Sequence, residues 1–296
     1  MTIREIMGLF SRSKSNLLKP AWRFNARAGK IIWRLLISPT GVLAGEERDP
    51  ENKTSSLFAL DVPTGNVLWR DINIDEPWWF HTALMTAENI YVHRFRKPDM
   101  PEPLGIIALD AADGSLRWEQ PDVAMLFEYG GKVYAQRDAL GRKEFFSLDS
   151  KTGEVLEAFG SEKENILSLE SLAHSDDTHS VYSLPIRPDD EIFGEISNVL
   201  TDVMNVRELR GAIDFTEFGS NLVMSYHERI TNNAEAALGN LLSNHLTILA
   251  KESGEVIYQD ILNKQTPYPV GDNFFIHRGI LIYVKETTEI VGIALE

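Results

Sequence analysis

Few stretches of this 296-residue chain bring together side chains able to do chemistry. The one close histidine pair is His174 and His179 in "AHSDDTHS", with Asp176 and Asp177 between them. Neutral imidazoles and carboxylates are competent ligands for zinc or manganese. The same spacing across a Ser/Asp/Thr turn also reads as a plain connecting loop, and no His-Glu-x-x-His pattern accompanies it. "DINIDEPWWFHTALM", residues 71–85, has the most unusual composition, with Asp71, Asp75 and Glu76 beside Trp78, Trp79, Phe80 and His81. Adjacent tryptophans on a strand point to opposite faces, so one would pack inward while the other offers a ring for stacking or for a partner. Two core aromatics beside a solvated acidic loop are the alternative. Carboxylates gather again at Asp189, Asp190, Glu191 and Glu195. Paired acids serve acid–base or glycosidase chemistry when buried at a set separation, and otherwise form a solvated loop. There is no Gly-x-Ser-x-Gly elbow, Walker loop or dinucleotide fingerprint. No catalytic residue and no cofactor is expected.

Composition narrows the classes further. With 43% apolar and 25% charged residues the chain suits a soluble globular protein. Its formal charge of -15 repels phosphate backbones and gives no basis for broad nucleic-acid affinity. The absence of cysteine excludes disulfides, thiolate metal sites and a cysteine nucleophile, and fits a reducing compartment. Residues 1–20 carry only the short run "IMGLF", too brief for a signal-peptide core or a membrane span, so a cytoplasmic location is expected. On a helix, Ile3, Ile6, Met7 and Phe10 would share a face beside Arg4, Arg12 and Lys14. That suits a peripheral membrane contact, a helix docking on a partner, or a terminus packed on the protein's own body.

The elements that would position these residues are written several times over. Aligned on a turn glycine, five segments match: "RFNARAGKIIW" at Gly29, "ALDVPTGNVLW" at Gly65, "ALDAADGSLRW" at Gly114, "SLDSKTGEVLE" at Gly153 and "ILAKESGEVIY" at Gly254. Four residues before the glycine stand Asn25, Asp61, Asp110, Asp149 and Ala250; four after it stand Trp33, Trp69, Trp118, Glu157 and Tyr258. An Asp leaving a strand accepts hydrogen bonds from the turn's own N–H groups, and the glycine takes the left-handed conformation that closes a hairpin. The following aromatic falls where it can pack on a neighbouring unit.

The glycines are spaced by 36, 49, 39 and 101 residues, so a degenerate sixth hairpin is expected near residues 200–206, in "SNVLTDVMNVRELR". Further strands are expected at 89–95, 132–138, 180–186, 221–229 and 279–286, and a helical insertion at 230–245. Repeats of this length, each with several short strands, predict an all-β chain: a six-bladed β-propeller of four-stranded antiparallel blades, with seven blades as the alternative. Residues 21–296 would form one such domain after the tail at 1–20. The chain ends on a strand that lacks its hairpin and begins on a hairpin that lacks its strands, so N- and C-terminal strands would pair to close the ring and remove open edges.

The turn wording resembles the quinoprotein-type, PQQ-like repeat of β-propellers, and the whole chain is similar to an uncharacterised bacterial domain-of-unknown-function family with that fold. Dehydrogenases of the resembled family hold a quinone over a tryptophan in an eight-bladed ring with calcium, a catalytic aspartate and usually a vicinal disulfide. Here cysteine is absent and the blade count falls short, so the resemblance implies the fold and none of the catalytic residues. The expectation is a non-enzymatic propeller, WD40-like in role, that binds a protein partner. The alternative is a redox or carbohydrate-active enzyme or small-ligand binder using a pocket around Trp78, Trp79 and His81.

Overall fold

A computed structural model describes residues 17–97, 100–139, 141–161, 163–173, 180–230 and 241–295. The chain divides into two compact units, Ala26–His179 and Met1–Asn25 with Ser180–Glu296. The strand β1 (Trp22–Asn25) belongs to the second of these.

The first unit holds three four-stranded antiparallel meanders, each paired in chain order. They are β2 (Ile31–Ile37), β3 (Val42–Asp49), β4 (Thr54–Asp61) and β5 (Val67–Ile72); β6 (Phe80–Met85), β7 (Asn89–Lys97), β8 (Met100–Asp110) and β9 (Leu116–Gln120); and β10 (Ala124–Tyr129), β11 (Lys132–Ala139), β12 (Arg142–Asp149) and β13 (Val155–Gly160). The helix Glu164–Ala173 follows. Third strands carry apolar runs such as "LFAL", "IIAL" and "FFSL" because they are buried on both faces, whereas the outer strand β13 is largely exposed.

The repeated wording closes the hairpins and docks one sheet on the next. At Asp61, Asp110 and Asp149 the backbone carbonyl accepts the glycine N–H four residues on at 2.7, 2.9 and 2.9 Å, and the carboxylate accepts a turn N–H as well. Gly65, Gly114 and Gly153 sit at φ of 69°, 74° and 73°. The outer-strand tryptophans then lie on the following sheet's turn: Trp69 Nε1 donates to the Ala111 carbonyl at 3.0 Å and Trp118 Nε1 to the Ser150 carbonyl at 2.9 Å. A Cβ on Gly153 would sit 2.7 Å from the Trp118 ring, so this glycine serves both the turn and the docking.

The second unit has two five-stranded sheets, formed by β14 (Ser180–Tyr182), β15 (Leu184–Ile186), β16 (Leu209–Phe218), β17 (Asn221–Arg229), β18 (Leu242–Ala250), β19 (Val256–Thr266), β20 (Phe274–His277), β21 (Ile280–Lys285) and β22 (Glu289–Ala294). One runs β15-β16-β17-β18-β19 and the other β14-β20-β21-β22-β1. Here the N- and C-terminal strands do pair, β1 antiparallel to β22 with Trp22 opposite Gly292. The turn at Gly254 keeps the backbone bond from Gly254 N to the Ala250 carbonyl at 2.8 Å, although Ala250 offers no side-chain acceptor.

Several expectations change. Gly29, at φ 78°, does not close a hairpin: β1 pairs with β22 and β2 with β3, so its turn connects two sheets. Both kinds of turn need a left-handed residue, which is why the glycine aligned with the others. Trp33 consequently lies on the first strand of a sheet and is 59% exposed, while Trp22 is the buried ring. Near residues 200–206, where a sixth hairpin is expected, the chain instead completes the helix Phe193–Met204, which buries Ile196, Val199 and Leu200 at helical spacing and ends at Asn205 in the left-handed region. Five sheets are present among the described residues, one fewer than the six hairpins counted. Residues 180–186 divide into two three-residue strands on different sheets. The tail at 1–16, His174, His179 and the core of the expected insertion, 231–240, lie outside the described residues.

Candidate functional site

The first unit gathers its charged groups around β3, whose sequence "VLAGEERD" places Glu46 and Glu47 in a strand covered on both faces. Both glutamates are fully buried, so each must be hydrogen-bonded and charge-paired. Glu47 takes a two-pronged contact from Arg70, Nε at 2.9 Å and Nη2 at 2.6 Å, and the Arg27 backbone N–H at 2.8 Å. Glu46 accepts Arg48 Nε at 2.9 Å on Oε2, and on Oε1 both the N–H and the hydroxyl of Thr82 at 2.8 Å. Thr82 lies on β6, so this carboxylate ties the first sheet to the second.

Arg48 also orders the tryptophans. Its Nη2 donates to the Phe80 carbonyl at 2.6 Å, and its guanidinium carbon lies 5.4 Å from the Trp33 ring centre and 5.2 Å from that of Trp78. Lys53 Nζ approaches the Trp78 ring at 4.8 Å. Trp78 and Trp79 are not on a strand: they sit in the bend before β6, where Glu76 Oε1 accepts their backbone N–H groups at 3.1 and 2.9 Å. Pro77, unable to donate to a sheet ladder, precedes them. Trp78 is therefore part of a cation–π stack, and Trp79 is 43% exposed.

His81 faces a different way. An Arg34 guanidinium N–H contacts its Nε2, and because a guanidinium can only donate, Nε2 is the acceptor and the proton sits on Nδ1, 3.8 Å from Glu46 Oε1. The His93 ring lies 5.1 Å from it, centre to centre, with Phe95 edge-on to His93 at 5.5 Å. Burial, and then the Arg34 charge, hold the His81 pKa below its ordinary value against the pull of Glu46. Burial with the neighbouring His81 and Arg34 brings His93 down to about 4, so both rings are neutral near pH 7.

These groups line a cleft of about 270 Å³ in the first unit. Arg34 comes from β2, His81 from β6, His93 from β7 and Glu128 from β10; Leu84, Met125 and Phe127 give it apolar walls. Burial raises the Glu128 pKa, partly offset by the Tyr91 hydroxyl, and its Oε2 is buried with no hydrogen-bond partner. The cleft thus offers one cation, two neutral imidazoles and a carboxyl beside an apolar wall.

Of the residues singled out in the sequence, His81 reaches this cleft, whereas Trp78 and Trp79 do not line it. Asp189, Asp190 and Glu191 are exposed on a loop where Asp190 accepts the Arg187 N–H at 2.6 Å, and Glu195 lies in the first turn of the following helix. Sequence reasoning missed Arg34, Glu46, Glu47, His93 and Glu128. For Glu46 and Glu47 the signal is "EER" inside an apolar strand, since three charges in a buried strand need buried partners; Arg34, His93 and Glu128 carry no such local signal. Among the described residues no group of three or more His, Asp or Glu side chains is placed to hold a metal ion, and no helix is long and apolar enough to cross a membrane.

Comparison with known proteins gives a partial match to one family model and a set of distant structural likenesses. The family profile of a domain of unknown function, DUF4905, matches residues 37–118, less than a third of the chain but including Glu46, Arg48, His81 and His93. No curated protein matches. Among solved structures, a protein of unknown function from Bacteroides caccae is 12% identical over 81% of this chain and 70% of that one, with a TM-score of 0.30. The Dos1 propeller is 12% identical over 89% of this chain and 68% of that one, TM-score 0.31. The RS223 beta-xylosidase is 11% identical over 92% of this chain and 94% of that one, TM-score 0.31.

Proposed function

We propose that the chain is a propeller-type binding scaffold whose sheets act as blades, and that its working surface is the cleft of the first unit. The observation that carries this reading is convergence: the first strands of three successive sheets deliver Arg34, His81 and Glu128 to one concave, partly apolar site. Concave sites with apolar walls and a few placed polar groups are where small ligands bind. The lining supplies no hydroxyl or thiol nucleophile, and His81 Nε2 is occupied by Arg34, so the groups present suit recognition better than covalent chemistry. The quinoprotein-like turn serves sheet docking in this reading and holds no cofactor.

The test is a thermal-shift screen of a metabolite library on the native protein and on an Ala83→Phe variant that fills the cleft. Compounds that stabilise the native chain and not the variant support the reading by mass action. A flat screen, or shifts that survive in the variant, rejects it. A second reading, docking of a partner protein, is favoured by two exposed rings: Trp33, 59% exposed beside Arg48, and Trp79, 43% exposed and next in the chain to Trp78. In that case a Trp33→Glu, Trp79→Glu double variant loses a partner that the Ala83→Phe variant retains in a pull-down.

A further inference from the structure

Arg34 differs from most of the arginines of its unit. Arg27, Arg48, Arg70, Arg94 and Arg117 each pair with a carboxylate. No carboxylate among the described residues forms an ion pair with Arg34; its guanidinium contacts a histidine nitrogen that must accept. Glu46, the nearest acid behind His81, is already neutralised by Arg48 and bonded to Thr82. A half-buried cation with no ion-paired carboxylate among the described residues, feeling only the Glu46 charge that Arg48 already holds, at the wall of a cleft in a chain of formal charge -15, suits an anionic ligand.

The rest of the lining narrows the class. Leu84, Met125 and Phe127 call for an apolar body, and about 270 Å³ is at the small end of ligand pockets, suited to a small metabolite. A single cation balances a single negative charge. Glu128 in the same lining opposes a dianion, and His93 adds a neutral ring nitrogen able to hydrogen-bond an oxygen. We infer that the cleft binds a small organic monocarboxylate, its carboxylate on Arg34 and its apolar chain against Leu84, Met125 and Phe127. The inference rests on the cleft being a binding site and adds the chemistry of the ligand.

The experiment titrates the full chain with acetate, butyrate and 3-phenylpropionate, with the primary amides of the last two and with inorganic phosphate, by calorimetry at millimolar ligand. Affinity should rise along the acid series, and 3-phenylpropionate should bind roughly tenfold or more tightly than its amide or phosphate. Arg34→Gln should remove that preference, and Arg34→Lys should restore part of it. Should Arg34→Gln fail to fold, the native protein still answers: 3-phenylpropionate should slow phenylglyoxal modification of Arg34, followed by peptide mass spectrometry, and its amide should not. The inference is overturned if the amides match the acids, if phosphate binds best, if Arg34→Gln binds the acids unchanged, or if no acid binds. Amides that bind the native chain and not Ala83→Phe would remove the carboxylate while leaving the cleft a binding site.

Discussion

Both units bury carboxylates within their sheets, and they treat them differently. In the first unit Glu46 and Glu47 are held by arginines and stitched to a neighbouring sheet. In the second, Asp214 on β16 has only amide partners: Asn273 donates to its Oδ2 from the backbone at 3.1 Å and from Nδ2 at 2.7 Å, and the chain of bonds continues through Asn244 to Ser225. No cation pairs with Asp214 among the described residues, and burial raises its pKa. The two fully buried glutamates of the first unit are thus held by cations, and the buried Asp214 of the second by neutral donors. The same unit holds Arg34, which has no ion-paired carboxylate among the described residues, at the wall of its cleft.

Neutralising these acids should separate the units most. Glu46→Gln strands Arg48 against Trp33 and Trp78 without its counter-ion, and removal of one partner of a buried pair costs about 3–5 kcal/mol. Asp214→Asn keeps an acceptor for Asn273 and removes a charge that burial disfavours, so its effect should stay within about 1 kcal/mol. Urea denaturation of both variants near pH 7 is the check. Equal losses would mean that the Glu46 pair is no more than a surface-grade interaction.

Turn glycines give the next largest contrast, within the repeat wording itself. Gly153→Ala meets both a φ of 73° and the Trp118 ring at 2.7 Å, for a loss of about 3 kcal/mol. Gly29→Ala has a similar φ of 78° and no atom within 4 Å of the new Cβ, so only the conformational cost of about 1 kcal/mol remains. If the two variants lose the same stability, the glycine of the repeat serves the turn alone and not the docking of one sheet on the next.

Acid should then weaken the first unit through His93. Its pKa in the fold, about 4, lies below the ordinary 6.5, so the fold prefers the neutral ring; the stability this provides is complete above pH 6.5 and is lost as pH falls toward 4. The accumulated loss is at most about 3 kcal/mol, and a His93→Gln variant should show a flatter urea midpoint across that range. His227 on β17 carries a similarly depressed pKa of about 4. Because linked contributions add, His227→Gln should flatten the profile by a similar amount, whatever Asp214 contributes.

How much of this was readable in advance follows from the range of each interaction. The turns at Asp61, Asp110 and Asp149 are closed by bonds within five residues, and their wording names them. The Glu46 cluster is not local: Thr82 lies 36 residues away and the Arg34–His81 contact spans 47, so no spacing rule reaches it. The helix Phe193–Met204 is a different failure. Ile196, Val199 and Leu200 spell a helical face, but the regular interval between glycines argued for another hairpin, and local periodicity won over the repeat count. Trp78 and Trp79 were legible as unusual and misplaced in geometry, because Pro77 and the Glu76 carboxylate hold a bend where alternation suggested a strand.

The smallest expected effect tests whether the aromatic column means the same thing in both units. Trp118 and Tyr258 occupy the same place after their glycines, yet Trp118 Nε1 donates to a turn carbonyl of the next sheet while the Tyr258 hydroxyl meets that of Tyr283 at 2.8 Å. Tyr283 in turn donates to Asp260 Oδ2 at 2.7 Å, and Lys285 holds the other oxygen at 2.6 Å. Trp118→Phe loses a hydrogen bond to a buried carbonyl together with part of the ring that covers Gly153, for about 2 kcal/mol. Tyr258→Phe removes one hydroxyl from a cluster whose acid keeps both Tyr283 and Lys285, for about 1 kcal/mol or less. The glycine separates the two further. Adding Gly153→Ala to Trp118→Phe should cost less than the sum of the single changes, because the smaller ring makes room for the new Cβ. Additive losses would show that ring and glycine act independently, and that the repeated aromatic is a core residue in both units and not a sheet-to-sheet dock in the first.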